Sequence, residues 1–140
     1  MSSGAISSST MSLAAADRAV AAGRKRAAEI DVRCTVTVID SGGNLVAVAR
    51  MDGAVLASIE TSYTKARTSV LFAAATRDLT AEIQPERPMF SIANAVREPL
   101  AFQAGGVPII DEGVLIGAIG VGGGASHQDH DIATAALGAL

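Results

Sequence analysis

Residues Arg33–Met51 have the sequence RCTVTVIDSGGNLVAVARM, in which two short alternating stretches are joined by a glycine-rich turn. In the first stretch, Cys34 and every second residue after it point to one face, while the intervening side chains point to the other. Ser41–Asn44 supplies a tight turn, and Leu45–Met51 supplies the returning strand. The pattern therefore predicts an antiparallel β-hairpin in which Cys34 is a small buried residue and not a reactive thiol.

A helix is predicted on each side of this hairpin. Before it, apolar residues recur at helical spacing from Ser12, a candidate N-cap, to about Glu29. After it, a second helix is predicted over residues 54–77, and its surface is rich in hydroxyl-bearing residues, which are poor helix formers. Such a surface indicates close packing or a face toward a ligand; the residues are Ser58, Thr61, Ser62, Thr64, Thr68 and Ser69.

Residues 79–103 form a long connection with three prolines and no sustained period. Connections of this length in compact domains are usually functional or are braced by a neighbouring subunit. Two of the three phenylalanines, Phe90 and Phe102, lie in this connection together with Met89. These apolar residues indicate either the wall of a pocket or a plug at the edge of the domain.

A second hairpin is predicted near the C-terminus. Gly105–Ile110 leads into a turn at residues 111–113, which is followed by a strand over Val114–Val121. Gly117 and Gly120 within this strand indicate a bulge or the close approach of another backbone. The complete order of helix, hairpin, helix, loop, hairpin and helix is typical of an α+β domain built on an antiparallel sheet.

The run Gly120–Ser126 joins the last strand to a final helix, for which Ser126 is the expected cap, with Asp129 three residues further on. Glycines at such a junction let backbone N–H groups approach an anion at the helix N-terminus. The run is therefore either a cradle for a small anion or carboxylate, or a plain close-packed turn. No Gly-Lys-Ser/Thr follows it, so it is not a Walker motif.

The composition is that of one apolar domain with few aromatic residues. Of 140 residues, 49 % are hydrophobic and 3 % are aromatic, and the formal net charge is −3. The acidic chain lacks the basic stripe that nucleic-acid binding needs, and no apolar run is long enough to span a bilayer. We therefore expect no nucleic-acid partner and no membrane segment, and part of the apolar surface should be covered by copies of the chain itself.

The N-terminal residues 1–11 are rich in serine and have neither the basic nor the apolar region of a signal peptide. We expect them to form a flexible tail ahead of a single domain at residues 12–140. The lone cysteine gives no disulfide framework, and together with the missing signal pattern it indicates a cytoplasmic protein.

His127 and His130 are the two histidines of the chain and stand at spacing i, i+3 at the start of the last helix. Side chains at this spacing lie on one side of a helix, so both could reach a divalent metal or a haem iron. Alternatively, one of them could act as a general acid or base, or both could belong to a solvated first turn.

Arg50–Asp52 joins the first hairpin to the second helix. Met51 is either a soft axial ligand for haem iron or a residue of the core, and Asp52 is well placed to cap the helix. Arg50 or Lys65 could hold the carboxylate of a small ligand. Both residues are therefore candidates for the binding site.

Seven short motifs of this chain resemble the GlcG/HbpS-like family of haem-binding proteins and the C-terminal domain of PduO-type proteins. The resemblance covers residues 12–140, with Gly122 and His130 as departures from the usual family pattern. The motifs are VIDSGGNL (38–45), RMDGA (50–54), KART (65–68), GGVPI (105–109), IGAIGVGGG (116–124), QD (128–129) and IATAA (132–136).

This resemblance implies a profilin-like α/β/α sandwich around a five-stranded antiparallel sheet. It also implies homo-oligomers built from dimers, haem as a cofactor and, for many relatives, a place in a catabolic operon. The residues expected to contact a ligand are Arg50, Met51, Asp52, Lys65, Phe90, Gly105, Gly106, Gly122, Gly123 and Gly124.

Three functions are compatible with the sequence. The first is a cytoplasmic, oligomeric protein that binds a small ligand, foremost haem or a related tetrapyrrole. The second is an enzyme acting on a small organic acid in a catabolic pathway, with His127 or His130 as general acid or base. The third is an accessory protein without a small ligand.

Overall fold

The computed structural model describes residues 9–140. Of the expected tail, residues 1–8 lie outside the described residues, whereas Met11 is buried against the core. None of the described helices is both long and apolar enough to cross a membrane. The elements are α1 (Leu13–Glu29), β1 (Thr35–Asp40), β2 (Leu45–Arg50), α2 (Ala57–Phe72), α3 (Thr76–Leu79), a short 3-10 helix (Ile92–Ala95), β3 (Gly106–Asp111), β4 (Val114–Gly122) and α4 (Ser126–Leu137).

The sheet is antiparallel throughout, with the strand order β2-β1-β4-β3. The α+β class with an antiparallel sheet is therefore confirmed, but the fifth strand implied by the family resemblance is wrong for the described residues. Residues 80–105, the longest stretch outside the hairpins and main helices, contain prolines that cannot donate to a strand ladder. This stretch forms turns and the short 3-10 helix instead.

The sheet lies between two helical layers. Helices α1 and α4 pack on one face, where β-branched residues such as Val36 and Ile119 form the main apolar core. The Arg26 guanidinium on α1 donates two hydrogen bonds, of 3.1 and 2.9 Å, to the Asp131 carboxylate on α4. Helix α2 covers the opposite face, so the expected α/β/α layering is present.

Helix α2 lies unusually close to the sheet because the strands beneath it carry glycine. A Cβ added at Gly120 would collide with the carbonyl oxygen of Ser62, and Gly106 and Gly122 are similarly crowded by α2. At this short separation the hydroxyls of the helix reach the sheet directly. Two buried pairs of hydroxyl oxygens are each 2.7 Å apart, Thr35 with Ser58 and Thr37 with Ser62. The hydroxyl-rich surface of α2 thus serves close packing along this line.

The first hairpin is confirmed, and its turn is held by one carboxylate. Asp40 Oδ1 accepts hydrogen bonds of 2.9 Å from the backbone N–H groups of Gly42 and Asn44. The Asn44 N–H contributes most to lowering the pKa of Asp40. Gly43 adopts a φ of 83°, in the left-handed region that glycine enters without strain. Cys34 is completely buried on β1's N-terminal side, as expected.

The start of α1 agrees with the prediction, whereas the bounds of α2 and the cap of α4 differ from it. Ser12 caps α1 as predicted, with its hydroxyl accepting from Ala15 N–H at 3.1 Å. Helix α2 is shorter than residues 54–77, because Ala73 turns into the left-handed region with a φ of 50°. The cap of α4 is Ala125 and not Ser126, since Asp129 faces inward and the Gln128 side chain accepts from Ala125 N–H instead.

Candidate functional site

A cleft of about 740 Å³ opens between the C-terminal half of α1 and the end of the edge strand β2. Its floor and walls include small or apolar side chains, and four cationic residues surround them. We call it the cationic cleft. It is lined by Ala21, Arg24, Lys25, Ala28, Asp31, Val32, Arg33, Ala49, Arg50, Met51 and Asp52.

The cationic side chains come from three separate segments. Arg24 and Lys25 project from α1, Arg33 precedes β1, and Arg50 ends β2. Within residues 9–140, β2 pairs with β1 alone, so no described strand covers this edge of the sheet. Antiparallel pairing of Arg50 with Thr35 fixes the position of the arginine next to the start of β1.

The cleft has an excess of positive charge, with four cations against the two carboxylates of Asp31 and Asp52. Arg33 is partly committed, since its Nη1 donates a 3.0 Å hydrogen bond to the Asp52 carbonyl oxygen. Among residues 9–140, Arg24, Lys25 and Arg50 form no ion pair with a carboxylate. The cleft therefore offers donors to an anionic ligand that enters from solvent.

Asp52 does not cap α2, contrary to the prediction. The helix begins five positions later, its N-cap is Leu56, and no side chain accepts from its first N–H groups. The turn at Gly53 places Asp52 on the rim of the cleft, where its backbone carbonyl restrains Arg33. Asp52 thus contributes to the site by holding the Arg33 guanidinium in position.

Met51 lies on the floor of the cationic cleft and is partly buried. Its Sδ atom is 3.7 Å from the Sγ atom of Cys34, which donates a hydrogen bond to it from below. Burial raises the pKa of the Cys34 thiol to about 11, and the charge of Asp129 acts in the same direction. Cys34 is therefore a protonated donor at neutral pH, while the thioether of Met51 borders the cleft.

A smaller cleft of about 270 Å³ adjoins the cationic cleft and shares Asp31, Val32 and Arg33 with it. Gly123 and Gly124 of the predicted anion cradle line this smaller cleft. The Gly124 N–H is already used, because it donates a 2.9 Å hydrogen bond to Asp129 Oδ1. The carboxylate bound by the glycine run is thus that of Asp129 and not that of a ligand.

Lys65 lies in a different place, on the buried side of α2, where its side chain forms an ion pair with Asp129. Its Nζ atom is 2.9 Å from Asp129 Oδ2 and donates a second hydrogen bond of 3.0 Å to the Val121 carbonyl oxygen. Burial raises the pKa of Asp129, whereas the Lys65 ammonium favours its charged form. The Lys65 ammonium is therefore occupied by protein atoms and links α2, β4 and α4.

Gly105 and Gly106 also belong to this buried region, whereas Gly122 lies against the first half of α2; none of the three lines the cationic cleft. A Cβ at Gly105 would stand 3.0 Å from both the Lys65 and the Asp129 side chains. Gly106 donates its N–H to Thr76 Oγ1 at 3.0 Å. Gly105 and Gly106 thus let the backbone close tightly over Lys65.

The two histidines lie on α4 and line neither the cationic cleft nor its smaller neighbour. His127 is exposed. His130 is partly buried, and within the described chain its Nδ1 atom has no hydrogen-bond partner. Burial lowers the pKa of His130, as does the charge of Arg77, while Asp78 and Asp131 act in the opposite direction. The structure thus does not bring either histidine together with Arg50.

Phe90 is 57 % exposed and lies in the long connection, away from the clefts described above. Of the residues predicted from the sequence, Arg50, Met51 and Asp52 line the cationic cleft, whereas Arg24, Lys25 and Arg33 were not among the predicted residues. A run of basic residues in the second half of α1, Arg24–Arg26, is the sequence signal that could have indicated these cleft residues.

In the described residues, no group of three or more His, Cys, Asp or Glu side chains could hold a metal ion.

Comparison with known proteins gives a consistent result. A family model described as haem degrading protein HbpS-like matches residues 11–138. An uncharacterised 15.0 kDa protein of Citrobacter freundii is 35 % identical over 128 residues, which cover 91 % of this chain and 90 % of that protein.

Solved structures show the same fold. The Klebsiella pneumoniae protein ORFY superposes with a TM-score of 0.94 at 32 % identity, covering 99 % of this chain and 96 % of that one. The complex of PduOC with haem gives a TM-score of 0.89 at 30 % identity, covering 94 % and 95 % of the two chains. Sequence and fold together therefore show that this chain belongs to the HbpS-like family.

Proposed function

We propose that this protein binds haem or a related tetrapyrrole in the cationic cleft. The observation that carries the proposal is the group of exposed cations from three segments around a floor of small side chains and Met51. The similarity to PduOC, whose structure contains haem, supports the same class of ligand. The cleft volume of about 740 Å³ lies within the range of small-molecule sites.

The residues present fit the chemistry of haem. Arg24, Lys25 and Arg50 would pair with its propionate carboxylates, and arginine can do so with two parallel hydrogen bonds. The alanines of α1 and β2 leave room for a flat macrocycle against the backbone. When bound, haem supplies an iron centre for electron exchange or for binding small gaseous ligands.

Titration with hemin tests the proposal. We expect a saturable, discrete shift of the Soret band in the wild-type chain. In the double variant Arg24→Gln/Arg50→Gln, loss of charge-assisted hydrogen bonds worth about 1.5–3 kcal/mol each should weaken hemin binding by tenfold or more. The matched control is Arg97→Gln, since Arg97 is exposed on the long connection and outside the cleft.

Two results would contradict the proposal. One is a featureless rise in absorbance without saturation, which would indicate nonspecific adsorption of hemin. The other is equal affinity of the double variant, the Arg97→Gln control and the wild type. Circular dichroism of each variant separates lost binding from lost folding.

We also propose that the protein is a cytoplasmic homo-oligomer built from dimers. None of residues 77–104, all within the described chain, is buried, although this segment contains Met89, Phe90 and other apolar residues. Strand β2 itself carries exposed apolar side chains, with Leu45 at 61 % and Val48 at 44 % exposure. A single buried thiol suits a reducing compartment.

Light scattering at micromolar concentration measures the oligomeric state directly. We expect a mass that is an even multiple of 14.1 kDa. A monomeric mass would contradict the assembly and leave the apolar surface of residues 77–104 exposed to solvent. Cell fractionation tests the compartment separately.

A further inference from the structure

The sulfur pair of Cys34 and Met51 stands directly beneath the cationic cleft. Met51 contributes to the cleft surface, whereas Cys34 is completely buried. The two sulfur atoms are 3.7 Å apart, with the thiol as donor and the thioether as acceptor. A thioether sulfur has two lone pairs, so the hydrogen bond from Cys34 leaves the second lone pair free to bind a metal.

We propose that Met51 is the residue that ligates the iron of a tetrapyrrole bound in the cationic cleft, and that Cys34 is a positioning residue that orients the Met51 sulfur. This inference rests on the proposed function, because it assigns a ligand within the same site. Thioether sulfur is an established axial ligand of haem iron. A donor to the ligand sulfur fixes its orientation and modifies its electron donation, as outer hydrogen bonds do at metal sites.

The other candidate ligands are less well placed. His127 and His130 do not line the cleft, and neither lines the adjoining one. Cys34 is fully buried and does not line the cleft, so its sulfur is not exposed to a ligand there. Within the set of cleft-lining residues, Met51 therefore provides the soft donor atom.

Spectroscopy of the hemin-loaded full-length chain tests the assignment of Met51. We expect Met51→Leu, which conserves volume, to bind hemin in the cleft but to lose the near-infrared charge-transfer band of thioether-ligated ferric haem and to change the Soret position. Met89→Leu is the matched control, because Met89 lies on the long connection. It should leave both spectra unchanged.

The role of Cys34 is tested by the reduction potential of the bound iron. Removing the thiol donor in Cys34→Ala should increase electron donation from the Met51 sulfur and lower the potential, while hemin binding persists. Cys34→Ser retains a donor and should bring the potential back toward the wild-type value. Val36→Ala, which removes buried volume two residues from Cys34 without changing a sulfur atom, should leave the potential unchanged.

The outcomes separate this inference from the proposed function. If wild-type protein shows no saturable hemin binding, both fail. If hemin binds but Met51→Leu has wild-type spectra, or if His127→Ala or His130→Ala removes the ligand band, only the assignment of Met51 is overturned. Identical potentials in wild type and Cys34→Ala would overturn the positioning role.

Discussion

The buried Lys65–Asp129 pair and the cationic cleft both contain cationic side chains, but in the first the cation is buried and paired, and in the second the cations are exposed. Lys65 is 5 % exposed, and both Asp129 and a backbone carbonyl accept hydrogen bonds from it. Arg24, Lys25 and Arg50 are exposed at the cleft and have no carboxylate partner among the described residues. The comparison shows that one cation serves the fold while the others remain available for a ligand.

This difference follows from what covers each region. Glycines at positions 105 and 106 allow backbone to close over Lys65, so its charge must be neutralised internally. The cleft lies at the uncovered edge of the sheet, where water solvates the guanidinium groups until a ligand displaces it. The cleft cations can bind an anionic ligand because they remain hydrated, and unpaired with any described carboxylate, until the ligand replaces the water around them.

Breaking the buried pair should produce the largest effect. Lys65→Met leaves the Asp129 carboxylate buried without its cation, and removing one partner of such a pair costs about 3–5 kcal/mol of unfolding free energy. Adding Asp129→Asn to that variant removes the uncompensated charge. The double variant should therefore be more stable than Lys65→Met in urea unfolding at neutral pH; a further loss of stability would contradict this account.

The closed side of the sheet can be disrupted without changing any charge. In Gly120→Ala the new methyl group would meet the Ser62 carbonyl and the Ala66 N–H group, so α2 must move away from β4. Overpacking of this kind costs about 1–3 kcal/mol, and backbone contacts place this site at the upper end. Gly138→Ala at the end of α4 is the control, since the nearest atom to an added Cβ there is the Ala135 carbonyl oxygen at 3.4 Å. Thermal unfolding should separate the two variants clearly.

Salt should distinguish the open cations from the buried one. Between 0.1 and 1 M NaCl the Debye length falls from about 10 Å to about 3 Å, and exposed charges are screened far more than buried ones. We expect hemin affinity to fall severalfold over this range, while the coupling energy between Lys65 and Asp129 in a double-mutant cycle changes little. Salt-independent hemin binding would show that the cleft cations do not contact the ligand.

The smallest effect concerns His130, which is only partly buried. Its pKa is lowered in the folded state mainly by burial, so as the pH falls below about 6.5 the unfolded chain takes up a proton before the folded protein does. Stability contributed by neutral His130 is therefore lost on acidification. Thermal unfolding should be less sensitive to acid in His130→Gln than in wild type, whereas the exposed His127→Gln control should behave as wild type does.

The sequence predicts those elements whose structure is set by residues adjacent in the chain. The hairpin follows from a two-residue alternation around a glycine turn, and the start of α1 follows from the Ser12 hydroxyl. The start of α4 was not predictable in this way, because Asp129 turns inward toward Lys65, which is 64 positions away in the chain. The fifth strand came from the resemblance and not from any pattern in these residues.

The candidate site was predictable only in the part that lies on one continuous segment. Arg50–Asp52 stands out because it joins a strand to a helix, but its neighbours Arg24 and Arg33 come from α1 and from the residue before β1. The sequence predicted Lys65 and the glycines near it as ligand-binding residues, but spacing alone does not distinguish a ligand's carboxylate from the carboxylate of Asp129, which Lys65 contacts. That distinction requires the packing of α2 against β4.

The close seating of α2 on glycine also determines how this domain can deform. Ser58 and Ser62 engage the sheet through hydroxyl bonds of 2.7 Å, and carbonyl groups of the helix occupy the space above the glycines. Sliding the helix would bring its backbone onto the bulkier neighbours of those glycines, so shear between these two layers is blocked. The sheet and α2 therefore move as one rigid unit. Adjustment to a ligand must come from the side chains of the cationic cleft, at the β2 edge of the sheet.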